Sequence, residues 1–284
     1  MTYPTNRSAT WFVTGTSRGL GLDLVKKLLA GGNQVAATTR STKRLLAALD
    51  GVDTTGLLPL EVQLTDQDDV TRAVETAITR FGQIDVVVNN AGYGYLGAIE
   101  ETTDEDVRQM FDVQVHGTWN VIRAVLPGMR ATRSGHIINI SSILGLVSFP
   151  GWGLYCAAKY AIEGLTESLA AEITEHGIQV TIVEPGYFNT DFLTSNSLAL
   201  PENTSDAYPA IREMVQAHQA MPGTQLGDPA KAAAALVTIA QRGNGPLRQQ
   251  LGSDSSGFAS SKVAALTADI DAGRELAFST DYVR

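Results

Sequence analysis

Short apolar segments alternate with helical segments along most of this chain. The first is "TWFVTG" (10–15), followed by a segment with leucine and valine at helical spacing that stops at two glycines. Five further apolar segments have the length and residue types of strands, at 34–39, 57–64, 84–92, 135–142 and 179–186. Runs this apolar are typical of strands covered on both faces by helices. The sequence therefore predicts an α/β fold with a doubly wound parallel sheet in three α/β/α layers.

One interval breaks the alternation. Residues 187–226 contain three prolines and no regular pattern, so we expect an insertion over one end of the sheet, where binding loops usually lie. A helical pattern returns at 228–241, and the tail at 257–284 has an amphipathic helical pattern. Because the first 190 residues contain no repeat and no linker, we expect residues 1–284 to form a single domain.

Composition excludes several classes of function. The net charge of -9, without a block of Lys or Arg, disfavours nucleic acid and anionic membranes as partners. Cys156 is the only cysteine, so no intramolecular disulfide forms and a reducing compartment fits. The sequence shows neither a signal-peptide core nor an apolar run of about 20 residues, so we expect a cytoplasmic protein. The four histidines are dispersed without metal-ligand spacing, and we expect no metal.

The glycine-rich stretch "TGTSRGLG" follows the first predicted strand and opens a helix. Glycine at such a turn lets the backbone approach a phosphate group, and the helix N-terminus offers unpaired N–H donors. The spacing G-x-x-x-G-x-G differs from the commoner dinucleotide fingerprint, but its place after the first strand favours nucleotide binding and a Rossmann-type fold. The residues expected to contact the cofactor are Gly15, Thr16, Ser17, Arg18, Gly19, Leu20 and Gly21.

The end of the second strand indicates which dinucleotide binds. An acidic residue there suits the ribose hydroxyl of NAD, whereas arginine suits the 2′-phosphate of NADP. The chain reads "AATTRS", with Arg40 and no acid, and Arg18 lies within the glycine turn. Either arginine is also compatible with an ordinary solvated surface position. We expect NADP(H) to be preferred and NAD(H) to be possible.

The stretch "YCAAK" places Tyr155 and Lys159 four residues apart, on one face of a helix. Tyrosine titrates near 10 in water. An ammonium about 4 Å away stabilises the phenolate by about 4 kcal/mol at an effective dielectric near 20. Desolvation opposes this effect, and we expect a net fall in the pKa of Tyr155 that lets it exchange a proton in a reaction.

Five motifs in order resemble the single-domain short-chain dehydrogenases/reductases: "TGTSRGLG", "NNAG", "NISS", "YCAAK" and "PGYFNT". The resemblance covers residues 9–192 and extends more weakly to the tail. There, "QQLGSDSS" looks like the closing strand of relatives that act on hydroxysteroids, retinoids and similar alcohols. It implies a Rossmann-type oxidoreductase that interconverts a ketone or aldehyde and its alcohol, working as a homodimer or homotetramer.

The resemblance also implies roles for individual residues. Tyr155 would act as the general acid and base, Lys159 would bind the nicotinamide ribose and lower the Tyr155 pKa, and Ser142 would hold the substrate oxygen. The nicotinamide must carry the hydride, since no side chain transfers one. The residues expected along the adenosine are Asn90, Ala91 and Gly92, and those expected to flank the nicotinamide are Pro185, Gly186, Phe188 and Thr190.

Two positions depart from the family pattern. Gln114 stands where the family usually has the asparagine of a proton relay to the lysine, and it either preserves the relay with altered geometry or impairs it. Gln63, followed by Leu64, stands where an aspartate often contacts the adenine amino group, and its side-chain carbonyl would accept the same bond.

The residues around the motifs predict an apolar small-molecule substrate. Aromatic side chains flank the motifs, although some of them would fit the core equally well: Tyr93, Tyr95, Phe149, Trp152, Phe188 and Phe192. Two alternatives stay open. One is an NADP-binding sensor without turnover, which Gln114 favours. The other is an epimerase or dehydratase with the same Tyr-Lys pair, although such relatives usually have G-x-x-G-x-x-G and a larger C-terminal region.

Overall fold

Seven parallel strands form the central sheet in the computed structural model, which describes residues 3–282. Numbered in chain order, they run from edge to edge as β3 (Leu57–Glu61), β2 (Gln34–Thr39), β1 (Thr10–Thr14), β4 (Val86–Asn89), β6 (Gly135–Ile140), β7 (Ile178–Pro185) and β9 (Arg248–Leu251). The short strands β5 (Gly94–Tyr95) and β8 (Leu198–Ala199) pair outside this sheet. The chain builds outward from β1 to β3 and then crosses to β4, which confirms the predicted doubly wound sheet.

Helices cover both faces of the sheet: α1 (Gly19–Ala30), α2 (Thr42–Ala48), α3 (Gln67–Phe81), α4 (Asp104–Phe111), α5 (Gly117–Thr132), α6 (Gly153–Glu172), α7 (Pro209–Gln219), α8 (Pro229–Arg242) and α9 (Ser253–Phe278). In β1, Trp11 and Val13 belong to the core layer under α1 and α8, whereas Phe12 belongs to the layer under α3 and α5. Each such buried side chain contributes about 1.5–3 kcal/mol. Because successive residues of β1 face opposite layers and both layers are covered by helices, apolar side chains follow one another along this strand.

Local sequence sets the helix ends. The carboxylate of Asp228 accepts the N–H groups of Ala230 and Lys231, and Pro229 occupies the first turn of α8. Gly243 ends α8 in a left-handed conformation, with φ of +72°.

Several predicted strands end earlier than expected. β4 ends at Asn89 and β6 at Ile140, so "NAG" and the two serines of "NISS" lie in loops beyond the ladder. α6 spans Gly153–Glu172, where we expected a helix from Tyr155 to His176. The motif residues therefore leave the sheet at the carboxyl ends of the strands, where ligands bind in open α/β sheets.

The segment 187–226 contains β8 and α7. Glu101 fastens it to the body: its carboxylate pairs with Arg212 and accepts the N–H of Ser205 at 2.7 Å. α9 begins at Ser253, earlier than the predicted 257, and Ser255 in its first turn is buried. The later turns of α9 leave their large apolar side chains exposed: Val263, Leu266, Ile270, Leu276 and Phe278.

Candidate active site

A cavity of about 680 Å³ opens at the carboxyl ends of the central strands. It runs from the glycine-rich turn to α6 and the segment after β7. Of the residues predicted from sequence, those that line it are Gly15, Ser17, Arg18, Gly19, Leu20, Arg40, Gln63, Leu64, Asn90, Ala91, Gly92, Gln114, Ser142, Tyr155, Lys159, Pro185, Gly186, Phe188 and Thr190. Residues from eight separate segments of the chain therefore meet in one cavity.

The glycine-rich turn is packed directly against the loop that follows β4. Gly15 has φ of +70°, and a Cβ there would lie 2.7 Å from the Ala91 Cα. α1 begins at Gly19, and no side chain caps its first turn, so its first N–H groups are available to an anion.

Two residues of this turn do not line the cavity. Thr16 is fully buried, and its hydroxyl donates to the carbonyl of Thr38 at 3.0 Å. A Cβ at Gly21 would overlap the Gly15 carbonyl oxygen and lie 2.5 Å from the Asn90 Nδ2. Both residues shape the turn from behind, so the expected direct contact with a cofactor does not fit their position.

Asn90 braces the same turn. Its Nδ2 donates to the carbonyl of Thr14 at 2.9 Å and to that of Gly15 at 3.1 Å. The Thr14 hydroxyl accepts the backbone N–H groups of Asn90 and Ala91, each at 3.0 Å. These four bonds fix the loop after β4 against the loop after β1.

Three guanidinium groups lie near the ends of β1 and β2. Burial lowers the pKa of Arg18, and the positive charges of Arg40 and Arg44 lower it further, whereas Asp191 raises it. Arg44 lies in α2, four residues after Arg40, and sequence reasoning did not identify it. Arg40 precedes this helix, so the sequence carried no helical-face signal that linked the two arginines. The group forms a local positive site in an acidic protein.

Ser142, Tyr155 and Lys159 meet at the inner end of the cavity. Tyr155 and Lys159 lie one turn apart in α6, and the lysine Nζ is 5.5 Å from the centroid of the tyrosine ring. The Nζ donates to the carbonyl of Ile140 at 3.0 Å. Ser142, just beyond β6, interacts through its hydroxyl with the Tyr155 phenol.

Burial dominates the ionisation of this group. It raises the pKa of Tyr155 above its ordinary value, and the hydrogen bond from Ser142 only partly offsets the rise. Burial also lowers the pKa of Lys159 to about 8, and the negative charge of Glu163 opposes this fall. The pKa of Tyr155 therefore shifts upward, opposite to the expected net fall, because desolvation of the phenolate has the largest effect on it.

Gln114 lies in a π-helical turn, Asp112–His116, that separates α4 from α5. Its Nε2 donates to the Tyr93 carbonyl at 2.9 Å and also contacts the Met110 sulfur. Its Oε1 is buried without a hydrogen-bond partner and faces Gly92, where a Cβ would lie only 2.9 Å away. The side-chain amide is thus held beside the cavity by the chain itself.

The remaining predicted residues lie at the rim. The Gln63 backbone N–H donates to Asp69 at 2.6 Å, while its side chain stays exposed. Beyond β7, the Asp254 carboxylate accepts the Tyr187 N–H at 2.7 Å and so fastens α9 to the Pro185-Gly186 loop. Sequence reasoning missed this contact between residues 67 positions apart.

Aromatic side chains enclose the end of the cavity next to Tyr155. The ring of Trp152 lies 5.6 Å from Tyr155 and 5.3 Å from His218, and the ring of Phe192 lies 5.6 Å from Tyr155, all between centroids. The His218 Nε2 is 2.9 Å from the Tyr187 hydroxyl. These contacts bring α7 onto the site.

Of the six aromatic residues considered from sequence, five line the cavity and Tyr95 does not, since it is buried and bonds to Asp106. Phe258 of α9 also lines the cavity and stacks edge-on with Phe149, with 5.2 Å between centroids. Neither Phe258 nor His218 carried a sequence signal for this position.

Within residues 3–282, no group of three or more His, Cys, Asp or Glu side chains is arranged to hold a metal ion. In the same range, no helix is both long and apolar enough to cross a membrane.

The sequence is similar to a known family of dehydrogenases and to individual oxidoreductases. Residues 9–200 match the family described as short chain dehydrogenase. Oxidoreductase BOA17 of Botryotinia fuckeliana (strain B05.10) is 32% identical over 270 residues, or 95% of this chain and 98% of that protein. The 3-ketodihydrosphingosine reductase of Bacteroides thetaiotaomicron is 34% identical over 244 residues, or 84% of this chain and 86% of that protein.

The fold is similar to the solved structures of short-chain dehydrogenases. A short-chain dehydrogenase from Streptomyces avermitilis has a TM-score of 0.88 and 35% identity, covering 97% of this chain and 100% of that one. A short-chain dehydrogenase from Burkholderia cenocepacia J2315, solved in complex with NADP, has a TM-score of 0.72 and 25% identity, covering 93% and 97%.

Proposed function

The chain belongs to the short-chain dehydrogenase family, and on that premise we propose that it is an NADP(H)-dependent oxidoreductase interconverting a ketone or aldehyde and its alcohol. One observation carries the proposal: Ser142, Tyr155 and Lys159 line the same cavity as the glycine-rich turn. A dinucleotide held at the turn would thus reach the three side chains that exchange a proton with the substrate.

The residues of the cavity fit a dinucleotide. The uncapped start of α1 and the tight packing of Gly15 on Ala91 leave room and N–H donors for the pyrophosphate. Gly92 and the Pro185-Gly186 loop would hold the adenosine side and the nicotinamide side. When bound, the nicotinamide would supply or accept the hydride, which no side chain can transfer.

In reduction, Tyr155 donates its phenolic proton to the carbonyl oxygen, and in oxidation it takes the proton from the alcohol. Ser142 holds the substrate oxygen with its hydroxyl. Lys159 supplies a positive charge near the Tyr155 ring, which favours the phenolate left after proton donation. Burial raises the Tyr155 pKa and so makes the phenol a weaker acid, which increases the need for the Lys159 charge when the proton leaves.

The preference for NADP(H) rests on charge. Arg18, Arg40 and Arg44 lie close enough for like-charge repulsion to lower the Arg18 pKa, and an added phosphate would relieve that repulsion. A relative of known structure binds NADP. NAD(H) would still fit the rest of the cavity and is the second choice.

An apolar substrate fits the inner end of the cavity. Its lining there is largely aromatic, and the cationic side chains of the lining are Arg18 and Arg40 at the cofactor end and Lys159 beside Tyr155. An anionic substrate group would thus lack a partner beyond Tyr155. The relative named 3-ketodihydrosphingosine reductase and the resemblance to hydroxysteroid and retinol enzymes support a bulky apolar ketone or alcohol.

The test follows the absorbance of NADPH and, separately, of NADH with ketosteroids, retinal, aromatic ketones and small aldehydes. We expect consumption of NADPH that Tyr155→Phe abolishes. Turnover that survives Tyr155→Phe would refute the role of Tyr155. Tight NADPH binding with no turnover across the panel would favour a sensor, the alternative supported by the unpartnered Gln114 Oε1.

Three further properties belong to this proposal. We infer that the chain is a single domain whose segment 187–226 selects the substrate, because α7 contacts Trp152 through His218. We also infer a homodimer or homotetramer, as the family resemblance implies, and a cytoplasmic location, as expected from the sequence. Size-exclusion chromatography with light scattering tests the assembly, and a monomer would contradict it.

A further inference from the structure

A cluster of ionisable side chains lies next to Lys159 but outside the lining of the cavity. Glu163 follows Lys159 by one turn of α6, and both side chains are buried. The Glu163 Oε2 accepts a hydrogen bond from the Arg248 Nε at 3.1 Å. Arg248 also lies 3.2 Å from the Glu184 Oε1 and 2.7 Å from the Glu167 Oε1. The cluster thus joins α6, β7 and β9 beneath the site.

Among the buried members of this cluster, which exclude the half-exposed Glu167, the charges balance only when Lys159 is included. Glu163 and Glu184 are buried acids, and Arg248 offers one positive charge between them. A buried charge is stable only when it has an opposite charge nearby. The Lys159 ammonium is the second cation, so two buried acids face two cations.

The Glu163 carboxylate lies close to the strand end that holds Lys159. A Cβ on Gly145 would lie 2.8 Å from the Glu163 Oε1 and 2.6 Å from the Ser141 Oγ. Ser141 directly follows Ile140, whose carbonyl accepts from the Lys159 Nζ. The Glu163 carboxylate therefore lies near Ser141, and the Lys159 ammonium binds the neighbouring Ile140. Both residues directly precede Ser142 at the end of β6.

We propose that Glu163 is a positioning residue for the reaction, whose carboxylate, held by Arg248, keeps the buried Lys159 ammonium charged beside Tyr155. The proposal rests on the proposed function of Lys159. Tyr155, Glu184 and Arg248 interact with the Lys159–Glu163 pair, and Glu167 interacts with Arg248.

The pKa directions agree with this arrangement. Burial lowers the pKa of Lys159 to about 8, and Glu163 is the charge that raises it. Burial raises the pKa of Glu163 to about 7, Glu184 raises it further, and the Ser141 hydroxyl and Arg248 lower it. Without the carboxylate, Lys159 would lose its proton closer to neutral pH.

The direct test measures the Lys159 pKa by NMR. The chain has six lysines, so ¹³C labelling at lysine Cε gives few signals, and Lys159→Arg identifies the one that matters. Residues four apart on a helix have Cβ atoms about 5–6 Å apart. At an effective dielectric near 20, removal of one charge at that distance lowers the partner's pKa by about one unit or more. We expect that fall in Glu163→Gln.

Two matched controls isolate Glu163. Glu167→Gln removes another acid that pairs with Arg248 on the same helix, but this side chain is half exposed, and we expect no change in the Lys159 pKa. Glu184→Gln removes the other buried acid and should shift the pKa less than Glu163→Gln does. An unchanged pKa in Glu163→Gln, or an equal fall in either control, would overturn the proposal.

A second readout uses activity against pH. In Glu163→Gln, the loss of NADPH-dependent reduction at alkaline pH should begin about one pH unit lower than in the unaltered enzyme. An equal loss at every pH would indicate a purely structural role and overturn the proposal. If Glu163→Gln does not fold, Glu163→Met replaces it, since an apolar side chain of similar size needs no buried partner. If no carbonyl is turned over, the proposed function fails, but the NMR titration still decides the role of Glu163.

Discussion

The three arginines at the ends of β1 and β2 give a quantitative prediction about cofactor choice. Arg18 and Arg40 line the cavity, whereas Arg44 does not. A hydrogen bond to a charged group contributes about 1.5–3 kcal/mol. Since 1.4 kcal/mol corresponds to a tenfold change in affinity, Arg40→Ala should weaken NADPH binding by about 10- to 100-fold.

The affinity for NADH provides the internal control, because that cofactor has no 2′-phosphate for Arg40 to bind. We expect Arg40→Ala to change NADH affinity by less than about threefold, a difference typical of surface substitutions. Arg44→Ala is the matched variant, since it removes the same charge four residues away. An exposed charge contributes at most about 1 kcal/mol, so NADPH affinity should fall by no more than about fivefold.

The assay is a fluorescence or calorimetric titration of each variant with both cofactors, after thermal unfolding has shown that the variants fold. Raising the salt concentration should reduce the difference between NADPH and NADH in the unaltered protein, because ions screen exposed charges. An equal loss of both cofactors in Arg40→Ala would show that the residue supports the fold of the loop, and an equal effect of Arg44→Ala would refute the assignment of Arg40 to the phosphate.

Other predictions test the site and its supports. Gly15→Ala should abolish cofactor binding and lower the melting temperature, because φ at Gly15 is +70° and the added Cβ would lie 2.7 Å from the Ala91 Cα. Cofactor binding with unaltered affinity in this variant would contradict the tight packing of the turn. His218→Phe should raise KM for bulky substrates about fivefold through loss of one hydrogen bond of about 1 kcal/mol to Tyr187, while cofactor affinity stays constant. Burial lowers the pKa of His136 from 6.5 to about 4, so the unfolded chain binds its proton first as pH falls. Stability should therefore fall by up to about 3 kcal/mol between pH 6.5 and 4. This dependence should disappear in His136→Gln, measured by urea unfolding, and its persistence would assign it to another group.

The sequence alone determined the layers of the fold and the local motifs. Strand and helix patterns follow from side-chain periodicity, and the pairing of Tyr155 with Lys159 follows from helical geometry over four residues. The glycine-rich turn likewise depends on backbone conformations that adjacent residues set. These features were predictable because each involves positions close together along the chain.

The tertiary structure decided the ionisation of the site and the residues that complete it. Burial of Tyr155 comes from the packing of the whole molecule, so its pKa moved opposite to the direction expected from Lys159 alone. Glu163 meets Arg248 across 85 positions, and Phe149 meets Phe258 from a distant helix. No local pattern records such contacts, because they depend on which strands and helices the folded chain brings together. Desolvation and long-range pairing therefore had to be read from the structure, whereas spacing could be read from the sequence.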